Sequence, residues 1–445
     1  MNLKTMIILT AAFTGIPIAA APPATVPATQ SAESKAEQWF HDGSDALFKG
    51  NYPKAIELLE KASERDNTKT SFRVHLARAY RYSGREKDAA ALLEGVLKTT
   101  PDHVEAGQLL GELLAQQENW KRLVEVLEPL LKYRHDYSTY HMLADAKYNL
   151  DDIKTARRLY EEAIKLNPSS AADHYALGNI YLAGNFFALA ADSYQSSVSL
   201  GMQSPVLHYK LASAYFNLRN YFGAVSVVSV KAGKPGTISG DWYLIEPVPG
   251  EEGRFRCAPA NSAIYQVARA IADGIGERPD IRFLMANIHL NAGRYAQAYE
   301  RFKEIEPTIP KEDKSLFYFY DAQAAFGVGD YEQYLNLLQQ AIKLDPAAYG
   351  AMLVDAYIKV ADQYNQAGKL DQYINYLNLA VQQSPQTASL HLQLGNAYQE
   401  AQKYPQAVIQ WKMVLDLEPE HPKRLDLLNT ISKFSKATTQ PATKA

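Results

Sequence analysis

Residues 171–204 read AADHYALGNIYLAGNFFALAADSYQSSVSLGMQS, and residues 388–421 read ASLHLQLGNAYQEAQKYPQAVIQWKMVLDLEPEH. Counted from the first residue of each stretch, both have Gly at position 8, Tyr at position 11, Ala at position 20 and a large aromatic residue at position 24. A small residue at position 8 returns about every 34 residues, with one longer gap: Gly43, Ala77, Gly111, Ala144, Gly178, Ala212, Ala286, Ala322, Ala361 and Gly395. A fixed period of this length indicates a solenoid of stacked helical units.

Small side chains at positions 8 and 20 are expected where two helix backbones approach closely. Position 20 is Ala in seven units: Ala55, Ala89, Ala156, Ala190, Ala224, Ala298 and Ala407. Leu123, Tyr334 and Tyr373 depart from this pattern. Proline cannot continue a helix, so six prolines are predicted to end second helices: Pro101, Pro168, Pro310, Pro346, Pro385 and Pro419.

This pattern resembles the tetratricopeptide repeat. The resemblance implies an all-α fold of antiparallel helix pairs wound into a right-handed superhelical solenoid, here with a small β-hairpin-like insertion. The predicted units begin at Ala36, Thr70, Val104, Tyr137, Ala171, Pro205, Pro279, Ser315, Val354 and Ala388. They form an N-terminal array over residues 36–220 and a C-terminal array over residues 261–422.

The start of the chain has the pattern of a secretory signal peptide. Lys4 precedes an apolar stretch that ends near Ile18, and small residues follow. This stretch is too short for a membrane span. We expect a signal peptide over residues 1–21, with cleavage after Ala20, Ala21 or as late as Ala28, and a flexible linker over residues 22–35. The mature protein is then exported, periplasmic or secreted, without a stable membrane span.

Residues 221–260 interrupt the repeat with β-branched and aromatic runs separated by Gly/Pro turns, which predicts a strand-like insertion. Two interpretations compete. In the first, residues 221–230 form the second helix of the sixth unit, and the helix from Ser262 is an additional one. In the second, a β element is inserted inside the sixth unit, and the helix from Ser262 is its displaced second helix. We favour the second, because it keeps the helices paired.

The chain is predicted to end in a capping helix and a tail. Residues 423–434 place Leu425, Leu428 and Ile431 on one helical face, which suits a helix that covers the end of the array. The tail, residues 435–445, is polar and is predicted to be disordered.

Catalytic and nucleic-acid functions find little support in the sequence. The net charge of −3 lacks the basic excess of a nucleic-acid-binding protein, and the phosphate-loop, nucleophile-elbow and HExxH motifs are absent. His174, His208 and His391 recur at position 4 and are interpreted as core residues. Cys257, the one cysteine, is expected to be buried in the inserted sheet. We therefore predict no catalytic residue, no metal site and no cofactor.

First helices line the concave side of a tetratricopeptide array, as the resemblance implies, near positions 2, 5, 6, 9, 12 and 13. Position 5 is often aromatic and position 9 is always polar, and amide and aromatic side chains together suit an extended peptide. A basic cluster that includes Arg78 and Arg81 suits an acidic partner segment. The candidate groove residues are Phe40, Arg78, Arg81, Tyr175, Asn179, Tyr209, Ser213, Phe283, Asn287, Phe319 and Asn396.

The predicted function is an extracytoplasmic scaffold that binds a protein or peptide in this groove. One alternative is a periplasmic subunit of machinery that assembles the cell envelope or exports polysaccharide or protein. Another is an enzyme with its site in residues 221–260. The sequence does not indicate which oligomeric state the protein adopts.

Overall fold

The protein is described here by a computed structural model, which covers residues 28–230, 233–276 and 278–439. The predicted signal peptide lies outside these residues. The described chain divides into two units, with the boundary between Ser169 and Ser170.

The described residues of the first unit form four consecutive helix pairs. The pairs are α1 (Ala28–Phe48) with α2 (Tyr52–Arg65), α3 (Thr70–Tyr82) with α4 (Glu86–Thr99), α5 (Val104–Gln116) with α6 (Trp120–Leu127), and α7 (Tyr137–Asn149) with α8 (Ile153–Leu166). A 3-10 turn, Glu128–Lys132, continues α6. Three first helices begin at the residues predicted as unit starts, namely Thr70, Val104 and Tyr137.

The described part of the second unit continues with six further pairs and a last helix. The helices are α9 (Ala171–Ala183), α10 (Phe187–Ser199), α11 (Pro205–Asn217), α12 (Ala263–Ala270), α13 (Pro279–Asn291), α14 (Tyr295–Ile305), α15 (Lys314–Val328), α16 (Tyr331–Leu344), the short α17 (Pro346–Tyr349), α18 (Met352–Gln366), α19 (Leu370–Gln383), α20 (Ala388–Glu400), α21 (Tyr404–Leu417) and α22 (Arg424–Thr439). A π-turn, Ile271–Ile275, follows α12, and 3-10 turns at Glu306–Thr308 and Lys311–Asp313 precede α15. The predicted repeat fold is confirmed.

Within a pair, the small residue at position 8 lies against the large residue at position 24. A Cβ atom added to Gly178 would lie 2.6 Å from Cδ1 of Tyr194, and one added to Gly395 would lie 2.7 Å from Cδ1 of Trp411. Real Cβ atoms do not approach other heavy atoms so closely, so the ring occupies the space that glycine leaves. The position-24 residues of nine pairs are buried: Leu59, Leu93, Leu127, Tyr160, Tyr194, Phe302, Leu338, Leu377 and Trp411.

The turn within each pair uses one residue in the left-handed conformation, always at position 15. Five of these residues are Gly50, Gly84, Gly293, Gly329 and Gly368, and five are Glu118, Asp151, Asn185, Arg219 and Gln402. Glycine adopts positive φ at little cost, whereas other residues are strained there by roughly 1–2 kcal/mol. The turn therefore keeps this conformation even where the sequence does not favour it.

The insertion is a four-stranded antiparallel sheet, and α12 is the second helix of the sixth pair. The strands are β1 (Ser226–Ser229), β2 (Ile238–Ser239), β3 (Trp242–Pro247) and β4 (Arg254–Pro259), in the order β1-β4-β3-β2. The interpretation that made residues 221–230 a helix is wrong, because β1 lies there and Ala224 is exposed. The ends of the insertion meet, since Ala263 N–H donates to Asn220 O at 2.9 Å.

Both ends of the described chain differ from the prediction. Residues 28–35, predicted as linker, belong to α1, because residues 28–48 contain no proline and helix-forming residues extend the first helix. The last helix likewise continues through Thr439 rather than ending at residue 434.

The apolar face of α22 also differs from the predicted one. Leu427 and Ile431 are buried and the Phe434 ring stacks on Tyr404 at 4.4 Å, whereas Leu425 is 75% exposed and Leu428 is 42% exposed. The spacing of residues 427, 431 and 434 directs this face towards α21, which it covers as a cap.

We expect Gly178→Ala to lower the free energy of unfolding by about 1–3 kcal/mol, because the new methyl group overpacks against the Tyr194 ring. Gly95→Ala, in α4, is the matched control: its Cβ would lie 3.6 Å from Arg73, an ordinary contact. This control should be neutral or stabilising by up to about 1 kcal/mol. Denaturant midpoints of the two variants measure the difference, and equal midpoints would contradict the proposed contact.

Candidate functional site

Polar residues at position 9 often bind the side chain at position 24 of their own pair. Tyr194 donates its hydroxyl proton to Asn179 Oδ1 at 2.9 Å, and Trp411 Nε1 donates to Asn396 Oδ1 at 3.1 Å. Tyr160 donates in the same way to Asp145 Oδ1 at 2.6 Å. These side chains satisfy the polar tips of large rings, so part of the predicted groove polarity has a structural role.

The predicted residues Tyr175 and Asn179 lie together on α9, where Lys210 of α11 contacts both. Lys210 Nζ lies 2.6 Å from Asn179 Oδ1 and 4.9 Å from the centre of the Tyr175 ring. The cation thus stacks on the ring and donates to the amide oxygen. Lys210 occupies position 6, one of the predicted groove positions, but was not among the candidate groove residues.

Tyr209 and Ser213 lie one turn apart on α11, and Ser213 Oγ donates to the Tyr209 carbonyl oxygen at 3.0 Å. Burial raises the pKa of Tyr209, and the nearby Asp280 raises it further. Both side chains are partly buried. Tyr209 therefore remains a neutral hydroxyl, available for hydrogen bonding.

Asn287 is not presented to a ligand, contrary to the prediction. It is 5% exposed, and its Nδ2 donates to the Phe283 carbonyl oxygen at 2.9 Å. Its position-24 neighbour is Phe302, which has no polar atom to offer, and Asn287 Oδ1 is buried without a hydrogen-bond partner among the described residues. Phe283 lines an apolar cavity of about 380 Å³ with Phe317, and Phe319 stacks on Tyr349 at 5.1 Å.

In the first unit, the predicted residues are engaged by neighbouring helices. Phe40 stacks on Phe72 at 4.7 Å. Arg78 forms an ion pair with Glu105 at 2.6 Å, and Arg81 forms one with Glu112. The basic cluster is therefore neutralised within the unit, which weakens the case for an acidic partner segment there.

A cleft in the second unit lies over the seventh to ninth helix pairs, and residues of both first and second helices line it. Its volume is about 690 Å³. We call it the α15 cleft, since α15 supplies more of its lining residues than any other helix. The lining residues are Leu290, Asn291, Tyr295, Tyr320, Gln323, Phe326, Gly327, Val328, Gly329, Tyr331 and Gln363.

The α15 cleft combines four aromatic rings with three amide side chains and contains no Asp, Glu, Lys or Arg. Within the described residues, Gln323 makes no side-chain hydrogen bond, so its amide is available to a ligand. Asn291 Nδ2 donates to the Asn287 carbonyl oxygen at 2.9 Å, and the Tyr331 hydroxyl lies 3.4 Å from Gln363 Oε1. The amide can donate and accept simultaneously beside ring faces.

The shape of the α15 cleft depends on Gly327. A Cβ atom at this residue would lie 2.1 Å from Cγ of Tyr295, so the Tyr295 ring rests directly on the backbone of α15. Tyr295 is nevertheless 41% exposed and offers ring surface to solvent. Gln323 occupies position 9, which was predicted to be polar and to line the groove, but Gln323, Tyr320, Phe326 and Gly327 were not among the candidate groove residues. Tyr320, Phe326 and Gly327 occupy positions 6, 12 and 13, which are among the positions expected to line the concave side, so the sequence could have indicated them.

Other chemistry-bearing groups do not form a second site in the described part of the chain. No group of three or more His, Cys, Asp or Glu residues there is placed to hold a metal ion. Cys257 is buried in the sheet, as predicted, and burial raises the pKa of its thiol. His208 and His391 are buried, as predicted, and His174 is partly buried. Among residues 28–230, 233–276 and 278–439, no helix has both the length and the apolar character needed to cross a bilayer.

Family models of the tetratricopeptide repeat match residues 81–146 and 141–205. Tetratricopeptide repeat protein 21A of Mus musculus is 21% identical over 340 residues, which cover 68% of this chain and 23% of the mouse protein. The chain thus spans less than a quarter of that relative. TPR repeat-containing protein YpiA of Bacillus subtilis (strain 168) is 21% identical over 367 residues, which cover 80% of this chain and 82% of YpiA.

Two solved structures are also similar in part. MamA from Desulfovibrio magneticus RS-1 is 20% identical with a TM-score of 0.35, over 37% of this chain and 94% of that chain. YrrB, described as a TPR protein with an unusual peptide-binding site, is 17% identical with a TM-score of 0.37, over 51% of this chain and 93% of that chain.

Stability should depend on pH through Asp321, which lies on α15 and is 3% exposed. Burial, together with Glu306, raises the pKa of Asp321 to about 7. The folded state then binds the proton more tightly than the unfolded state, so this carboxyl destabilises the fold increasingly as pH rises from about 4 to about 7. Asp321→Asn should therefore stabilise the protein little at pH 4 and by no more than about 4 kcal/mol at pH 8.

Denaturant midpoints at the two pH values measure this effect. Asp362→Asn, which changes an exposed carboxylate on α18, is the control and should give equal midpoints to the parent at both pH values. A stabilisation by Asp321→Asn that is the same at pH 4 and pH 8 would contradict the raised pKa.

Proposed function

Because this chain is a tetratricopeptide-repeat protein, we propose that it is an extracytoplasmic scaffold that binds a peptide segment of a partner protein in the α15 cleft. The available amide of Gln323 among aromatic rings is the observation that carries the proposal. A solenoid of this kind offers extended surfaces rather than an enclosed reaction site, which favours a binding function over catalysis.

The chemistry of the cleft suits an extended backbone. A peptide in extended conformation presents alternating N–H and C=O groups, and a single glutamine side chain can accept from one and donate to another. Tyr320, Phe326 and Tyr331 offer ring surface for the side chains on either side of that contact. Rings and a few placed polar groups are the usual lining of such sites.

The lining of the cleft also disfavours charged residues in the bound peptide. It is lined by no ionised side chain, so a charged residue that entered it would lose water without gaining an ionic partner. We therefore infer that the bound segment is uncharged where it contacts Gln323. Its affinity should depend weakly on ionic strength, in contrast to a segment held by Lys or Arg.

A displayed library of random peptides, selected on the full chain, tests this function. The selected peptides should be uncharged at their centre, and Gln323→Ala should weaken their binding about tenfold, the value of one hydrogen bond in a desolvated site. Gly327→Ala should weaken binding at least as much, because the new Cβ displaces Tyr295. Fluorescence anisotropy with a labelled synthetic peptide measures the affinities.

Gln383→Ala is the matched control, since it removes the same side chain from an exposed site on α19. It should leave the affinity unchanged. Failure to select any peptide, or equal affinities for the Gln323 and Gln383 variants, would reject the α15 cleft as the binding site.

The extracytoplasmic location is supported by the N-terminal sequence, in which Lys4 precedes an apolar stretch and small residues. In a bacterial host, the exported protein should lack its first 20, 21 or 28 residues by intact mass. Ile8→Arg interrupts the apolar stretch and should leave the chain uncleaved in the cytoplasm. Recovery of the unmodified sequence with Met1 still present would count against export by this route.

A further inference from the structure

The inserted sheet has an open edge at β1. This strand pairs with β4 on one side, and no other strand of the described chain pairs with its second side. Ser226, Val227 and Ser229 are exposed, and so is Val225, which directly precedes the strand. Val225 and Val227, which are two residues apart, are 47% and 44% exposed.

The register shows which backbone groups face the open side. Val230 N–H donates to Gly253 O at 2.7 Å, so Val230 and Gly253 form a hydrogen-bonded pair with β4. In an antiparallel ladder such pairs alternate with non-bonded pairs. Val227 and Ser229, paired with Arg256 and Arg254, are therefore in non-bonded pairs, and their N–H and C=O groups point away from β4.

This edge lacks the features that protect other edges. Residues 221–230 contain no Lys, Arg, Asp, Glu or Pro, and the irregular register of the sheet lies between β3 and β4 rather than at β1. The opposite edge is different, because β2 has only two residues and Tyr265 donates its hydroxyl proton to Gly240 O beside it. Native sheets usually protect an exposed edge by charge, proline, bulges or shortness.

We propose that β1 pairs antiparallel with β1 of a second copy of this chain, about a two-fold axis that passes between the two Val227 residues. This register is self-complementary, because the two-fold axis is normal to the sheet. Each residue of one strand then lies opposite a residue of the other strand whose side chain is on the same face of the joined sheet. Val227 then lies opposite Val227 of the second copy, and Ser229 lies opposite Val225. Both pairs use the outward-facing backbone groups, so the two sheets join into one.

The side chains at this junction are compatible with self-pairing. Opposed valines are favourable cross-strand neighbours, and no like charges face each other across the axis. On the same face, the arginines of β4 are paired within one chain, Arg256 with Glu246 at 3.0 Å and Arg254 with Glu251. Over residues 225–229, an identical strand therefore meets no like charge.

Site-directed cross-linking of the full chain tests the register. In a Cys257→Ala background, Val227→Cys should form a disulfide-linked dimer under mild oxidation, because hydrogen-bonded opposite residues have Cα atoms about 5.5 Å apart, within disulfide range. Ser229→Cys is the matched control. Its two copies would lie four residues apart along the strands, about 13 Å, and should not cross-link.

Analytical ultracentrifugation of the cysteine-free chain should show a concentration-dependent dimer. Val227→Lys places two ammonium groups opposite each other and should weaken the dimer at least tenfold, while Gln383→Lys, on α19, should leave it unchanged. A chain that stays monomeric, or equal cross-linking of the Val227 and Ser229 variants, would overturn the proposal. Neither result bears on peptide binding in the α15 cleft, which uses other residues.

Discussion

The contact between position 8 and position 24 is the constraint on which the rest of the structure depends. The first helix can lie close to the second only if its eighth residue is small, and the space is then filled by a large side chain 16 residues later. Tyr194 on Gly178 and Trp411 on Gly395 show this contact at its tightest. A pair built in this way has one buried seam, and its outer faces remain to pack on its neighbours.

This seam also decides which polar residues are available to a ligand. Tyr or Trp at position 24 has a polar tip that needs a partner, and position 9 supplies it, as Asn179 does for Tyr194. Leu338 at position 24 has no such need, so Gln323 at position 9 of the same pair keeps its amide for another molecule. The amide of Gln323 is therefore available because Leu338, the position-24 residue of its own pair, has no polar atom to bind it.

The sequence predicted the repeat closely because the 34-residue period arises from a contact within each helix pair. The two residues of that contact are close together in the chain, so their spacing is visible in the sequence. Thr70, Val104 and Tyr137 begin helices as predicted for this reason. The site was predicted less well. Whether a polar residue is exposed depends on partners in the second helix and in neighbouring pairs, which is why Asn287 is buried while Gln323 is available. Periodicity alone carries no such information.

The interruption of the period follows from the same constraint. Since α11 needs a second helix to bury its face, extra residues are tolerated only if the chain returns to where it left, and the hydrogen bond from Ala263 to Asn220 closes that excursion. The sheet is then held at its ends and against α12, with β3 and β4 packed on the helices. β1 lies at one edge of this sheet, where Val225 and Val227 are exposed. Because α11 must pair with α12, the inserted residues form a sheet beside the pair, and the β1 edge of this sheet is open to a second molecule.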